Sequence, residues 1–289
     1  AQGGMGAIFI AKYAGGAGFE RYCVIKTLRR QFTEDQDAVA RFLDEARVVA
    51  QLQHANICSV FDVGAVEGRF YLAMDYIAGF DAHALQRRCQ QVGAQLPPAM
   101  LFYIMGEVLD ALDYAHRLMS PTTGTSLGIV HRDISPTNVM ISFEGEVKLI
   151  DFGMALSSLK NQRTEPTLLV GKVAYMAPEQ ATGDPVDARA DQFAAAVVLY
   201  ELLTGEDYYA GVENKQAIWT RAALGDHRPP SWARVDAGLR AILDRALSRD
   251  RTARFPTCAE LRAALDAYAW AGGLRASKAE LRKLMAERF

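Results

Sequence analysis

Between residues 7 and 77 apolar and polar positions run in short blocks, "AIFIAKY", "RYCVIKTL", "CSVFDVG" and "RFYLAMDYI". These blocks are rich in β-branched and aromatic residues and are divided by glycine-containing turns, a pattern that predicts strands. One stretch breaks it. After "TEDQ", which has the capping-box pattern at Thr33 and Gln36, the residues Phe42, Ala46, Val49 and Ala50 recur at helical spacing. The first part of the chain therefore reads as a small sheet with one long helix. Beyond "AGFD" the period changes. "PPAMLFYIMGEVLDALDYAH" opens on prolines suited to a first helical turn and sets Leu101, Ile104, Met105, Val108, Leu109 and Leu112 on one face. "VMISFEGEVKLID" reads as a short hairpin, and "QFAAAVVLYELLTG" as a helix apolar all round, hence buried, stopped by Gly205. "AGLRAILDRALS", "TCAELRAALDAYAW" and "SKAELRKLMAERF" complete a mainly helical second part. The expected fold class is α+β in two lobes, a β-rich one over residues 1–77 and a larger helical one over 78–289.

Composition narrows the functions. Half of the 289 residues are apolar and 23% are charged, enough for a large core and for two lobes. A formal net charge of −2 supplies no basic field for nucleic acid or anionic lipid, so neither is expected as a partner. Cys23, Cys58, Cys89 and Cys258 stand far apart, which favours neither a zinc site nor a disulfide framework and fits a reducing cytoplasm. The longest apolar run, "FAAAVVLYELL", is well short of the ~20 residues that cross a bilayer. The opening on Ala1, without an initiator methionine or signal peptide, is that expected of a piece of a longer protein, whose remainder is free to carry a membrane anchor.

The chemistry-bearing residues each admit two readings when taken singly. "GGMG" at 3–6, just before a strand, is either a tight hairpin turn or a loop whose backbone N–H groups close over phosphate. Lys26 at the end of "CVIK" is either a strand-end residue in water or a phosphate clamp. Glu45 falls on the side of its helix that carries Phe42 and Val49, where an inward carboxylate needs a cation and Lys26 is the candidate; a solvated helix edge is the alternative. In "HRDISPTN" Asp133 and Asn138 stand five apart, and Asp151 opens "DFG" after the next strand. These are hard oxygen donors of the kind Mg²⁺ takes, although Asp is also a common turn residue.

Together these stretches resemble the eukaryotic-type (Hanks-type) protein kinase domain, most of all in its bacterial Ser/Thr form. "AQGGMGAI" resembles the glycine-rich loop, "CVIK" the strand with the ATP lysine, "HRDISPTN" the catalytic loop, "DFG" the metal motif and "MAPEQ" the end of the activation segment. They stand in order along nearly the whole chain. The resemblance implies that Gly3, Gly4, Met5 and Gly6 cover the phosphates of ATP, and that Lys26, paired with Glu45, holds them. It implies that Asn138 and Asp151 bind Mg²⁺, and that Asp133 is the base accepting a substrate hydroxyl proton. It places Ile8, Val24, Met74 and Met140 around the adenine, with Asp75, Tyr76 and Ile77 as the hinge. It also implies a buried Asp191 supporting the catalytic loop, a Glu179–Arg254 ion pair, and an apolar column of Val49, Val60, Phe152 and His131.

Four departures stand out. Ala1 occupies the first glycine position of the loop, Val24 replaces the usual alanine above the adenine, and Ser135 stands where the catalytic-loop lysine is expected. "GK" at 171–172 replaces Gly-Thr, so an amine and a hydroxyl are both present but transposed, and Lys172 is a candidate for the missing lysine's role. The implied function is transfer of the γ-phosphate of ATP to protein serine or threonine, with a nucleotide-binding pseudokinase scaffold as the alternative. "YMAPEQ" and the lack of an alanine-arginine pattern in "ISPTN" point away from tyrosine. Thr164 and Thr167 are candidate sites of activating autophosphorylation between two copies, with Arg132 as the partner of the added phosphate.

Overall fold

The computed structural model describes residues 6–18, 20–28, 35–152 and 173–289, with residues 6, 17, 36, 37, 41, 44, 45 and 48 described in backbone alone. Gly3, Gly4, Met5, Thr33, Thr164, Thr167 and Lys172 lie outside the described residues, as does the Glu45 side chain and with it the expected Lys26–Glu45 pair.

Four strands, β1 (Gly6–Ala14), β2 (Glu20–Leu28), β3 (Val60–Val66) and β4 (Arg69–Asp75), form an antiparallel sheet in the order β1-β2-β4-β3. Residues directly opposite across an antiparallel pair share a face. The register sets Ile8 against Lys26, Val24 against Ile10 and Met74, and Lys26 against Leu72, so Ile8, Val24, Lys26, Leu72 and Met74 line one face. Helix α1 (Gln36–Val49) packs under that face, where Phe42 and Ala46 close a small core with Leu28 and Leu72.

At the start of α1 the Asp35 side chain accepts a hydrogen bond from the Ala38 amide at 3.1 Å, while the expected cap residue Thr33 lies outside the described residues. Ala50 lies past the helix end and is exposed, whereas Phe42, Ala46 and Val49 are buried as the spacing predicts.

The second part is helical around one large core. Helix α2 (Ala82–Gln91) was not anticipated; it follows directly on β5 (Gly79–Asp81), and the Asp81 side chain caps it by accepting from the Ala84 amide. Helix α3 (Pro98–His116) buries all six residues expected on its apolar face. Strands β6 (Val139–Ser142) and β7 (Val147–Leu149) make the expected hairpin, to which β5 adds a third strand beside β6. Helix α4 (Pro178–Thr182) precedes α5 (Arg189–Thr204), which is buried on every side for most of its length and ends on Gly205 at φ 72°. Then come α6 (Lys215–Leu224), α7 (Ala237–Ala246), α8 (Cys258–Ala271) and α9 (Lys278–Arg288). Val60 packs against both the small core of the sheet and the large helical core, so the apolar interior runs between the lobes. All four cysteines are buried free thiols, and among the described residues no helix is long and apolar enough to cross a membrane.

Candidate active site

The loop from His131 to Asn138, irregular up to Ser135 and closed by a 3₁₀ turn over Pro136–Asn138, is held from below by one carboxylate. Asp191, in the first turn of α5 and fully buried, accepts hydrogen bonds from the His131 amide at 2.8 Å and the Arg132 amide at 2.7 Å. His116, at the end of α3, donates to the same carboxylate through Nε2 at 2.7 Å. Burial alone would raise the Asp191 pKa; the hydrogen bonds from His116 and the Arg132 amide outweigh it, and the net shift is downward. A charged Asp191 is thus the state around which the loop is built.

Above this anchor the loop is bonded to itself. His131 Nδ1 accepts from the Asp133 amide at 3.3 Å while Nε2 donates to the Ile150 carbonyl at 3.1 Å, which assigns the neutral Nε2–H tautomer and ties the loop to the residue before Asp151. The His131 and Phe152 rings meet at a centroid distance of 4.4 Å, so this histidine packs in the interior beside the large core that holds Val49. Gln180 of α4 donates to the Arg132 carbonyl at 3.0 Å. Arg132 and Asp151 both take left-handed backbone, at φ 65° and 67°, which is uncommon outside glycine and marks strain retained at this loop.

The oxygen-bearing side chains converge here. Asn138 Nδ2 donates to the Asp133 carbonyl at 2.7 Å and to Asp133 Oδ2 at 3.0 Å, which fixes the flip of the amide and turns Oδ1 away from Asp133. Lys26 crosses from the sheet to form an ion pair with Asp151 Oδ1. The face carrying Ile8, Val24 and Met74 therefore looks toward the loop. Met140 is half-buried in β6, with Asp81 and Lys148 as its strand partners. Asp75 donates its amide to the Ser59 carbonyl at 3.0 Å, and its own carbonyl accepts a weak bond from the Cys58 thiol, whose pKa burial pushes up to about 12. Ile77 follows, itself half-buried between the exposed Tyr76 and Ala78 of the linker to β5.

The donor set fits Mg²⁺: one carboxylate at Asp151 and one oriented amide oxygen at Asn138 are hard ligands, and this cation commonly completes its shell with phosphate oxygens and water. Among the described residues no group of three or more His, Cys, Asp or Glu is placed to hold a metal unaided.

Two contacts fix the surroundings of Ser135 and Asp133. The Ser135 hydroxyl shares a 3.0 Å hydrogen bond with Thr137 Oγ1, and the Asp133 carboxylate is held by Asn138. Farther down, Arg254 is fully buried and bonds Glu179 through both terminal nitrogens, at 2.7 and 2.8 Å.

Residues 2–264 match the family described as the protein kinase domain. The chain belongs to the protein kinase family. It is 38% identical over 270 residues to the tyrosine-protein kinase MasK of Myxococcus xanthus, covering 93% of this chain and 42% of that protein. It is 32% identical over 270 residues to the serine/threonine-protein kinase PknB of Mycobacterium leprae, covering 91% and 41%. The crystal structure of the Mycobacterium tuberculosis PknI kinase domain superposes with a TM-score of 0.68 at 29% identity, covering 93% of each chain. This kinase domain thus spans about two fifths of the curated relatives it matches, and has the bilobal fold expected from its pattern.

Sequence reasoning missed His116 and Gln180, which brace the loop from α3 and α4. No local signal marks either; their partners Asp191 and Arg132 lie 75 and 48 residues away.

Proposed function

We propose that this kinase domain transfers the γ-phosphate of ATP to serine or threonine hydroxyls of protein substrates. The observation that carries the reading is the Asp133–Asn138 pair, a carboxylate bonded to an oriented amide beside the Lys26–Asp151 ion pair. In this reading Asp133 accepts the proton of the substrate hydroxyl as the oxygen attacks phosphorus. Asn138 and Asp151 hold Mg²⁺, which when bound neutralises charge on the phosphates. Lys26 exchanges its partner Asp151 for phosphate oxygens and is itself held by Glu45. The loop of Gly3, Gly4, Met5 and Gly6 covers the phosphates, while Ile8, Val24, Met74, Met140 and the Asp75–Ile77 linker surround the adenine. Catalysis is then positioning and charge neutralisation, with no covalent intermediate. Lys172 supplies a cation near the moving phosphate in place of the lysine that Ser135 replaces.

Regulation follows the same chemistry. Arg132 is partly buried, burial lowers its pKa against the pull of Asp191, and among the described residues its Nε has no hydrogen-bond partner. A phosphate on Thr164 or Thr167, added by a second copy, would give that guanidinium a dianionic partner. The domain works in the cytoplasm, whatever the remainder of its parent chain does.

Phosphorylation of a mixed protein substrate with γ-labelled ATP, followed by phosphoamino-acid analysis, tests the reading: label on serine and threonine supports it, and no label from wild type rejects it. Tyrosine is the second reading, favoured by the identity to MasK, and label confined to tyrosine would establish it. A pseudokinase scaffold is disfavoured because Lys26, Asp133, Asn138 and Asp151 are all present.

A further inference from the structure

Helix α9 lies beyond residue 264, where the family match stops, yet it is seated against the catalytic hairpin. Leu281, Leu284 and Met285 bury one side of it in the large core. At its N-terminal end the β6–β7 turn packs backbone to backbone. Gly145 stands at φ 76°, and a methyl group built on it would collide with the Lys278 carbonyl and come within 2.8 Å of the Arg282 amide nitrogen. Glycine is required there on both counts. Charge fixes the register on either side: Lys278 Nζ donates to Glu146 Oε1 at 2.9 Å, and Arg282 Nε lies 3.3 Å from Glu144 Oε2. At the other end, Phe289 stacks on Phe80 of β5 at 4.0 Å, and Phe80 meets Phe143 of the turn edge-on at 5.9 Å.

The opposite end of this hairpin carries the chemistry. Asn138 immediately precedes β6, Asp151 stands two residues past β7, and the Ile150 amide donates to the Asn138 carbonyl at 3.0 Å. The hairpin and the three-residue strand β5 beside it are too short to be stable alone and take their position from what they pack against. We infer that α9 is a positioning element for Asn138 and Asp151, acting through the β6–β7 hairpin it clasps at the turn. The metal-holding role of those two residues rests on the function proposed above; the mechanical link does not.

The test is Gly145→Ala in the full chain, with Gly124→Ala as control. Gly124 has a similar φ of 66° but nothing within 4 Å of an added methyl, so it carries the backbone strain without disturbing α9. Two readouts apply, neither of which needs phosphate transfer. One is amide hydrogen exchange of the segment 138–151 in the protein alone. The other is calorimetric affinity for ATP at stepped Mg²⁺ concentrations. Gly145→Ala is expected to speed hairpin exchange roughly tenfold and to raise the Mg²⁺ needed for tight ATP binding by about tenfold, on the scale seen when groups that orient metal ligands are lost. Gly124→Ala is expected to do neither. Wild-type exchange and Mg²⁺ dependence in folded Gly145→Ala overturn the inference, as do faster exchange without a Mg²⁺ effect and equal shifts in the control. Should Gly145→Ala not fold, Leu284→Ala, which weakens the buried anchor of α9, decides on the same readouts. A wild-type chain that transfers no phosphate refutes the proposed function instead, and leaves the exchange result standing.

Discussion

Replacing Arg254 with methionine should be far more damaging than its distance from the cleft suggests. The side chain is fully buried, bonds Glu179 at 2.7 and 2.8 Å, and also donates to the Arg189 and Ser248 carbonyls at 2.9 Å each. Methionine fills much of the volume but leaves the Glu179 carboxylate, itself 7% exposed, without its cation. Removing one partner of such a pair costs about 3–5 kcal/mol, a large part of the whole stability of a domain. At ~2–4 °C per kcal/mol for a chain of this size, the melting temperature should fall by roughly 10 °C. Glu179→Met in the same chain removes the stranded charge and should recover more than half of that loss, because the ion pair contributes geometry more than net stability. Thermal unfolding followed by near-ultraviolet circular dichroism, at one pH and salt concentration for all variants, measures both. A single variant melting within 2 °C of wild type, or a double variant no more stable than Arg254→Met, would refute the reasoning.

Three further outcomes are expected. Burial raises the Glu201 pKa to about 7 from an ordinary 4.5, against the opposing hydrogen bonds from the Tyr208 amide and Tyr175 hydroxyl. The folded form then holds a proton that the unfolded form releases, so this group's stabilising share is complete below about pH 4.5 and lost as pH rises through 7, up to roughly 3 kcal/mol. The stability gap between wild type and Glu201→Gln should therefore move against wild type over that window and level off above it, and a pH-independent gap in urea midpoints would contradict this. Asp133→Asn should abolish transfer while keeping ATP affinity, whereas Asp151→Asn should lose Mg²⁺-dependent ATP affinity as well; calorimetry beside a labelled-ATP assay separates them. Lys172→Thr should lower kcat by roughly 10²-fold with little change in KM for ATP, and Ser135→Lys in the same chain should restore part of it; near-normal turnover by the single variant rejects the transposition.

The elements legible in the sequence are those whose signal is local and periodic. The apolar face of α3 and the all-round apolar run of α5 are long enough to outweigh every alternative, and the hairpin announces itself by two short apolar runs on either side of the Glu144–Gly145 turn. Helix α2 was missed because its buried positions, Ala82, Leu85 and Cys89, are few among polar residues. The third strand of that sheet, β5, is a three-residue segment defined only by pairing with Ser142, Ile141 and Met140, some sixty residues later in the chain. Asp35, which accepts from the Ala38 amide at the start of α1, was not singled out because Thr33 two positions earlier is equally cap-competent and propensity does not choose between them. In the site, Asp133, Asn138 and Asp151 were readable as a spaced set, while their bracing by His116 and Gln180 depends on long-range packing that no window of sequence contains.

Because the His131 and Arg132 amides are bonded to Asp191, 60 and 59 residues later in the chain, the 131–138 loop is finished by a helix that has not yet been synthesised when the loop emerges. The order of folding follows. Until α5 has packed into the large core, the two amides lack their acceptor, and the loop must sample other shapes. Refolding chains should therefore regain the slow-exchanging core no later than they regain turnover. The sheet, whose buried core among the described residues is Leu28, Phe42, Ala46 and Leu72, is much the smaller of the two and should open at lower free energy than the helical lobe that anchors the loop. Loss of nucleotide binding on mild denaturation should thus precede global unfolding, and on dilution out of denaturant it should return last.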